Sequence, residues 1–414
     1  MWQVVILHLV LFASKTKIKM NLKTQVGIIG AGPAGLTLQR LLHNAGIESI
    51  ILENRNEEYL RRRLRAGVME QGTVDTFVNA GVGEKLQANK MIHNGIGLHF
   101  NGVAQRLDVK GLTGGKVVSV YGQKNITNDM IDRANKDGLQ IIWEAKGQRL
   151  EGFDDETKDT IIHYSLHGKM YTLQCDYIIG CDGFHGISRP SLPITEKNIF
   201  TYEFPYSWYG VLAEAKPISH EVIYAHHPDG FALQSMRGSE LSRLYIQCPN
   251  GTDPDTYEEE WVWDELDKRL GVKLNRGNII NSGVAPMRSF VCDKMQHGKL
   301  FIAGDAAHIV PPTGAKGMNL AIADINVLSK GLINHYNEKD DDILNRYTEI
   351  CLRRIWKVER FSWWVTTTFH IDPNQDEFKT KMQEATISYL LDSEVGGHSF
   401  AENYVGLPIL WNKK

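Results

Sequence analysis

The side chains best suited to bind a small anion are concentrated between residues 223 and 249. Ser235 and Arg237 are two positions apart, as are Arg243 and Tyr245, so in an extended strand each pair would face one side. An arginine fork can bind both oxygens of a carboxylate, and neighbouring hydroxyls can add hydrogen bonds. The same spacing also fits an exposed polar sheet face, and local spacing alone favours that simpler interpretation.

A second candidate site, for a nucleotide pyrophosphate, lies near the start of the chain. The sequence Gly30-x-Gly32-x-x-Gly35 follows the apolar run QVGII and precedes leucines at helical spacing. Such glycines allow a tight turn, close approach of the backbone to the phosphates, and packing of the helix on the strand. Glu53 ends the next apolar run, ESIILE, and its carboxylate could accept a hydrogen bond from a ribose hydroxyl. The combination predicts a dinucleotide site; the alternative is a purely structural βαβ unit.

The segment 304–319, GDAAHIVPPTGAKGMN, predicts a strand end, a stiff turn and a helix N-terminus. It follows the strand-like run KLFIA, contains Pro311 and Pro312, and leads into apolar residues at helical spacing from Gly317. Free N–H groups and the positive helix end would face a ligand there. A plain connecting loop is the alternative.

The run YLRRRLRAG places four arginines close together, at positions 61, 62, 63 and 65. Runs of charge are most often solvated faces. Because this run directly follows the predicted nucleotide-binding unit, we favour a role in gripping phosphate.

Composition narrows the class of protein. The 414 residues are enough for two or three domains, and 42% hydrophobic and 23% charged residues are typical of soluble globular proteins. A net charge of −3 without a basic stripe argues against nucleic acid as a partner. Five scattered cysteines without a CxxC favour a reducing, cytoplasmic location. The sequence contains no convincing metal-ligand motif, so we predict no metal site.

The N-terminal residues 1–21 differ from the rest. The apolar run MWQVVILHLVLFA precedes Lys15, Lys17 and Lys19, the reverse of a secretory signal, and it is short for a membrane span. We expect the functional chain to start at Met20 and the extension to be non-native or disordered. A membrane tether is the alternative, although no membrane association is expected.

Together these motifs resemble the flavoprotein aromatic hydroxylase superfamily, and within it the 4-hydroxybenzoate 3-monooxygenase family. The Asp182-Gly183 pair after the run YIIG, and the late Asp305, fit the superfamily pattern. Further similarity lies in RAGVMEQG, VYGQ, GFALQSMR, SRLYIQ, ICLRRIWKVERFSWW and AENYVGLP, and it extends from about Lys23 to Pro408.

The resemblance implies an FAD-dependent monooxygenase that uses NADPH, or NADH, and O₂ to convert 4-hydroxybenzoate to 3,4-dihydroxybenzoate through a flavin C4a-hydroperoxide. Two alternatives stay open: a related hydroxylase for another hydroxybenzoate, or a non-catalytic flavin-binding regulatory protein. Asn54 stands where NADPH-dependent members usually have arginine, which weakens the preference for NADPH over NADH.

The resemblance also assigns roles to residues. It implies that Arg237, Ser235 and Tyr245 bind the substrate carboxylate. Tyr224 would bond the phenol, Tyr404 would bond Tyr224, and His93 would end this proton chain at solvent. The Pro312 carbonyl and the Thr313 side chain would line the reacting ring edge. The implied FAD contacts are Gly30, Gly32, Gly35, Glu53, Arg65, Gln123, Asp182, Arg243, Asp305, Gly317 and Asn319, and the implied NAD(P)H contacts are Tyr59, Arg63, His185, Arg189 and Arg288.

The expected architecture is mixed α/β. A discontinuous, three-layer Rossmann-like FAD-binding domain would comprise residues 22–197 and 289–335. An antiparallel substrate-binding sheet would occupy 198–288, and a helical interface region 336–414. The resemblance implies a homodimer.

Overall fold

A computed structural model describes residues 21–63, 65 and 67–412; residues 1–20, on which the N-terminal extension was predicted, lie outside this part. Its strands are β1 (Asn21–Lys23), β2 (Val26–Ile29), β3 (Ser49–Leu52), β4 (Val68–Met69), β5 (Met91–His93), β6 (Ile96–Phe100), β7 (Val103–Leu107), β8 (Val118–Val120), β9 (Gln140–Ile142), β10 (Lys146–Glu151), β11 (Thr160–Leu166), β12 (Lys169–Cys175), β13 (Tyr177–Gly180), β14 (Ile199–Glu214), β15 (Ile223–His226), β16 (Ala232–Gly238), β17 (Leu241–Pro249), β18 (Asn278–Cys292), β19 (Gln296–His297), β20 (Leu300–Ile302) and β21 (His308–Ile309).

The α-helices of the described residues are α1 (Pro33–Asn44), α2 (Glu57–Arg62), α3 (Gln71–Asn79), α4 (Gly83–Asn89), α5 (Val109–Leu112), α6 (Gln123–Lys136), α7 (Ser188–Ser191), α8 (Glu259–Leu270), α9 (Gly317–Glu338), α10 (Asp342–Asn345), α11 (Tyr347–Phe369), α12 (Glu377–Asp392) and α13 (Glu394–Val405). Short 3₁₀ turns include Gly304–Ala306 and Pro312–Gly314. None of these helices combines the length and apolar character needed to cross a bilayer.

The predicted nucleotide-binding sheet is present, and the mixed α/β class is confirmed. Its order is β19-β20-β13-β2-β3-β9, with β20, β13, β2, β3 and β9 parallel and only the edge strand β19 antiparallel. All four residues of β2 are buried, as expected for a parallel strand covered on both faces. The parallel strands place their carboxyl ends, with Gly30, Glu53, Asp182 and Asp305 just beyond them, at one edge of the sheet.

A second sheet carries the predicted anion-binding side chains. Its eight strands follow the order β21-β18-β14-β17-β16-β15-β6-β7, and β15, β16 and β17 are antiparallel neighbours as predicted. The sheet is not confined to residues 198–288, because β6 and β7, from residues 96–107, join its edge. Local patterning could not reveal this, since β6 pairs in parallel with β15 more than 100 residues later.

The region predicted to be helical near the C-terminus contains α10 to α13 and packs an apolar stripe into the core. Leu344, Tyr347, Cys351, Ile355 and Val358 are all buried in the main core. Of the aromatic residues beside it, Phe361 is buried, whereas Trp356 and Trp363 are exposed.

A buried ion group ties three of these helices together. Lys316, just before α9, donates from Nζ to Glu70 Oε1 at 2.7 Å and to the Tyr404 carbonyl at 2.8 Å. Arg354, on α11, donates to the other carboxylate oxygen of Glu70. The two cations hold the pKa of Glu70 below its usual range, although its burial opposes this. Glu70 therefore stays ionised between two cations.

Removing the Glu70 charge is predicted to destabilise the fold. Glu70→Gln leaves two buried cations without a counter-charge, so the free energy of unfolding should fall by about 3 to 5 kcal/mol. Glu58→Gln is the control, since its pair with Arg62 is exposed and should contribute less than about 1 kcal/mol. Denaturant unfolding of both variants measures the difference; equal stabilities would contradict the prediction.

Candidate active site

The glycine-rich turn leaves room for a ligand at one position and is closed at the other two. A Cβ at Gly30 (φ 102°) would lie 2.3 Å from the Cys181 carbonyl oxygen, and one at Gly35 would lie 2.0 Å from the Gly30 carbonyl oxygen. A Cβ at Gly32 would meet no protein atom within 4 Å. Gly32 is also the N-cap of α1 and supplies no capping side chain, so first-turn N–H groups face that open space. This cradle fits a pyrophosphate.

Glu53 lies directly after β3, where the sequence predicted a ribose-binding acid. Its carboxylate is buried and accepts the N–H of Ala31 at 2.7 Å and of Arg55 at 2.8 Å. Each oxygen keeps further lone pairs for a ribose hydroxyl. Glu53 is thus fixed against the glycine turn.

Asp305 and Arg65 form a half-exposed pair at the same sheet edge. Arg65 Nη1 lies 3.5 Å from Asp305 Oδ2, and each side chain is 45% exposed. Arg63 is adjacent, and its partial burial, with the charge of Arg65 beside it, lowers its pKa. A carboxylate and two guanidinium groups therefore face solvent together, as a phosphate-bearing cofactor would require.

The other two arginines of the run have acidic partners in this structure. Arg61 pairs with Glu57 and Asp132, and Arg62 pairs with Glu58 one helical turn away. These two arginines lie on a solvated face of α2, whereas Arg65 pairs with Asp305.

Around Asp182, predicted nucleotide contacts meet in an arginine–aromatic cluster. Arg288 and Arg189 lie 3.9 and 4.4 Å from the centre of the Phe184 ring, and His185 packs edge-on against that ring. Asp182 accepts from the N–H and hydroxyl of Ser188, and its Oδ1 is buried without a partner among the described residues. Burial raises the pKa of Asp182. Tyr59, by contrast, is 48% exposed and stacks under Arg55.

Two predicted FAD contacts differ in their availability. Gln123 opens α6 beside the Tyr121–Gly67 backbone bond. The Asn319 side chain is already saturated: its oxygen accepts from Glu70 N–H and the Thr73 hydroxyl, and its amide donates to the Val68 and Ala315 carbonyls. In this structure Asn319 fixes the 312–317 turn to α3. Gly317 begins α9 as predicted.

The side chains of the predicted anion site lie on the neighbouring strands β16 and β17. Ser235 pairs with Arg243 across the strands, and Tyr245 follows on the same face. Arg237 lies at a β-bulge between Met236 and Gly238, a feature that re-aims a side chain. Its Nη1 is buried and has no partner among the described residues. Burial lowers the pKa of Arg237, while a hydrogen bond with Tyr245 opposes this. A buried guanidinium nitrogen without an acceptor is costly unless a ligand binds it.

Arg243 and Tyr245 are held close together on β17. The Arg243 guanidinium carbon lies 5.0 Å from the centre of the Tyr245 ring. Gly210 of β14 is the register partner of Tyr245, and a Cβ there would come 2.7 Å from the ring. The glycine is required for the tyrosine to lie flat against β14.

The predicted tyrosine pair is buried against the 312–317 turn. Tyr224 donates its hydroxyl to the Thr313 carbonyl at 2.5 Å. Burial raises the pKa of Tyr224 well above its ordinary value, with the Tyr404 hydroxyl also contributing as a hydrogen-bond partner. Burial likewise raises the pKa of Tyr404. Both phenols are therefore neutral, which lets them pass a proton without carrying charge.

Three further predicted site residues, His93, Pro312 and Thr313, have surroundings that the resemblance did not imply. His93 was expected at solvent but is 1% exposed, and neither ring nitrogen has a partner among the described residues. Burial lowers its pKa to about 4. The Pro312 carbonyl accepts Ala315 N–H at 2.9 Å, and the Thr313 hydroxyl accepts from Thr366 at 2.9 Å. Thr313 thus presents its backbone carbonyl, not its hydroxyl, to Tyr224.

The sequence reasoning missed several residues that shape this site. Lys316 and Glu70 lie inside the motifs PPTGAKG and RAGVMEQG, but nothing in their spacing showed that they would meet. Phe184 lies inside GCDGFHG and supplies the ring on which two arginines stack.

Comparison with known proteins agrees with this geometry. Residues 23–362 match the family described as FAD binding domain. The chain is 44% identical over 392 residues to p-hydroxybenzoate hydroxylase of Acinetobacter baylyi, covering 94% of this chain and 96% of that protein. It is 23% identical to a probable NADH-specific resorcinol 4-hydroxylase of Rhodococcus jostii, covering 78% of this chain and 61% of that protein. Among solved structures, p-nitrophenol 4-monooxygenase from Pseudomonas putida DLL-E4 superimposes with a TM-score of 0.77 at 16% identity, covering 94% and 100% of the two chains.

Two glycine variants should separate ligand binding from folding. Gly32→Val adds a side chain where the fold has open space, so the thermal midpoint of the apoprotein should stay close to wild type while FAD affinity falls by about 10-fold or more, roughly 1.4 kcal/mol. Gly35→Ala forces a Cβ against the Gly30 carbonyl and should lower the midpoint itself. Flavin fluorescence quenching gives the affinity and scanning calorimetry the midpoint. Normal FAD binding by Gly32→Val would refute the cradle.

Proposed function

Because the chain belongs to the FAD-dependent aromatic hydroxylases, in the family of p-hydroxybenzoate hydroxylase, we propose that its substrate is 4-hydroxybenzoate. The reaction consumes the substrate, O₂, NAD(P)H and a proton, and yields 3,4-dihydroxybenzoate, water and NAD(P)⁺. One oxygen atom enters the ring ortho to the phenol, and the other leaves as water.

The observation that carries this proposal is the buried Nη1 of Arg237, which has no partner among the described residues. The guanidinium shares a hydrogen bond with Tyr245, and Ser235 lies two residues before Arg237 on β16. A benzoate carboxylate would satisfy the guanidinium and accept from both hydroxyls. An aromatic phenol without a carboxylate would leave the arginine unsatisfied, which gives the site its selectivity.

The tyrosine pair supports the choice of a para-phenol. A benzoate held by Arg237 extends toward Tyr224, which in the described structure donates to Thr313. In the proposed complex Tyr224 bonds the substrate phenol, and Tyr404 bonds Tyr224. A phenol has a pKa of about 10, so it ionises near neutral pH only with help from such partners. Ionisation increases electron density at the carbon that is hydroxylated. His93 takes the proton further, through water between it and Tyr404.

FAD, when bound and reduced, supplies the electrons that activate O₂. The residues proposed to hold it are the Gly32 cradle, Glu53, Arg65 and Asp305, with the N-terminus of α9 facing the flavin. The segment 304–319 joins the two halves of the site, because its Asp305 lies at the nucleotide-sheet edge and its Thr313 contacts β15 of the substrate sheet. Closed packing there excludes water from the reacting ring.

The reductant is NAD(P)H, which we propose binds near Arg189, Arg288, His185, Tyr59 and Arg63. Asn54 makes NADH as reasonable as NADPH. We further propose that the protein is cytoplasmic and forms a homodimer. Phe200 and Trp356 are exposed, with ring centres 5.2 Å apart, and this aromatic pair would suit the dimer interface. A related hydroxylase for another hydroxybenzoate is the alternative activity.

The direct test mixes the FAD-loaded protein with 4-hydroxybenzoate and NADPH, or NADH, under air. We expect substrate-dependent oxidation of the nicotinamide and stoichiometric 3,4-dihydroxybenzoate by chromatography. Parallel reactions with 2- and 3-hydroxybenzoate distinguish the alternative activity, and the absence of both nicotinamide oxidation and hydroxylated product with every substrate would favour a non-catalytic protein.

Loss of the arginine charge should remove selectivity for the carboxylate. In Arg237→Met the Kd for 4-hydroxybenzoate should rise by about 100-fold or more. The neutral analogue 4-hydroxybenzamide should bind both proteins similarly. Arg149→Met, at an exposed pair with Glu151, serves as the control. Flavin absorbance titration measures the affinities; an unchanged Kd in Arg237→Met would remove the carboxylate role.

Loss of the Tyr224 hydroxyl should separate binding from hydroxylation. Tyr224→Phe should bind 4-hydroxybenzoate with a similar Kd but hydroxylate it about 100-fold more slowly, releasing hydrogen peroxide. Tyr209→Phe is the matched control, because Tyr209 is a buried tyrosine of the same sheet that packs in a separate core cluster. The measurement is the yield of hydroxylated product per NAD(P)H oxidised. A wild-type yield from Tyr224→Phe would contradict the proposed proton chain.

A further inference from the structure

The buried position of His93 leaves the proposed proton chain without an exit to solvent. His93 ends β5, and the chain then turns through Asn94 and Gly95 into β6. What lies between this histidine and the surface therefore decides how a proton can leave.

The carboxylate of Glu221 lies beside the turn that follows His93. Glu221, three residues before Tyr224, accepts two hydrogen bonds from Arg106 of β7, from Nε at 2.7 Å and from Nη2 at 2.8 Å. It also accepts the backbone N–H of Gly95, two residues after His93. A Cβ at Gly95 would lie 2.6 Å from the Arg106 guanidinium, so the turn after His93 is packed directly on this ion pair.

Glu221 and Arg106 also line a surface groove. The groove has a volume of about 420 Å³ and lies along β6, β7 and β15, with Ser219, His99 and Lys273 among its lining residues. The Glu221 side chain is 17% exposed and that of Arg106 is 50% exposed. The carboxylate is thus bonded to the turn that follows the buried histidine and is also partly open to solvent.

We propose that Glu221 is the counter-charge for protonated His93, and that the groove beside it is where the proton chain reaches solvent. The inference rests on the proposed function. The substrate proton passes by way of the Tyr224 and Tyr404 hydroxyls to a ring nitrogen of His93, and then to water in the groove. Glu221 is a positioning residue: it stays ionised and stabilises the imidazolium without itself taking the proton.

The charges around His93 agree with this role. Glu221 raises the pKa of His93, against the larger effect of burial and against the opposing charges of Arg237 and His220. Arg106 in turn lowers the pKa of Glu221. The Nη1 of Arg106 also lies 3.6 Å from Asp108 Oδ1. A substrate carboxylate on Arg237 would neutralise the opposing guanidinium charge, leaving Glu221 as the dominant charge.

Two substitutions of the same ion pair separate an electrostatic role from a structural one. Glu221→Gln removes the negative charge and should lower the pKa of His93. Arg106→Met leaves the carboxylate unneutralised and should raise it. If the ion pair were merely structural, the pKa of His93 would shift in the same direction in both variants. Glu151→Gln, at an exposed acid, is the control.

The first measurement needs no substrate. Histidine-labelled holoenzyme is titrated by NMR, with the His93 signal assigned from His93→Asn. Opposite shifts in the two variants support the proposal; no shift, or shifts of the same sign, overturn it.

The second measurement follows proton release when 4-hydroxybenzoate binds, by stopped flow with a pH indicator. Glu221→Gln should slow release by about 3- to 10-fold, the equivalent of a pKa change of about 0.5 to 1, with Arg106→Met at least as fast as wild type. If the wild-type protein does not bind this substrate, the proposed function fails, whereas the NMR titration still decides the role of Glu221.

Discussion

The buried carboxylate of Glu70, held between Lys316 and Arg354, is the interaction on which the geometry of the site depends. It joins the N-terminus of α3, the turn before α9 and the long helix α11, and through Lys316 it reaches the carbonyl of Tyr404. Charges buried this deeply are tolerated only when they are fully paired. The group therefore fixes one arrangement of three distant segments, at the point where the nucleotide-binding sheet meets the eight-stranded sheet.

The two halves of the site illustrate different ways of preparing for a ligand. At the nucleotide end the protein leaves space, with Gly32 open and α1 uncapped, so that an anion completes the helix terminus. At the aromatic end it buries a guanidinium nitrogen of Arg237 without a partner among the described residues, and two neutral phenols. The first device depends on backbone geometry and the second on desolvation, and the 312–317 turn contacts the second through Tyr224.

Desolvation also explains why the proposed proton chain needs a counter-charge. The two tyrosines have raised pKa values and His93 a lowered one, so each is neutral at rest. Neutral groups can relay a proton, but the transient imidazolium needs a counter-charge, and Glu221 is the acid among the described residues whose charge raises the pKa of both Tyr404 and His93.

Much of the fold and of the candidate site could be predicted from the sequence alone, because the sequence patterns that indicate them are local. The glycine turn, the acid after β3, the strand before Asp305 and the antiparallel run carrying Ser235 and Arg237 follow from spacing and periodicity over a few residues. Which residues meet across long separations was decided only by tertiary structure. Such contacts between distant segments include the pairing of β6 with β15, the hydrogen bonds of the Asn319 side chain, the ion pair of Arg61 with Asp132, and the burial of His93. The physical reason is that burial and charge pairing depend on what surrounds a side chain in three dimensions, and residue type and local spacing do not specify those surroundings.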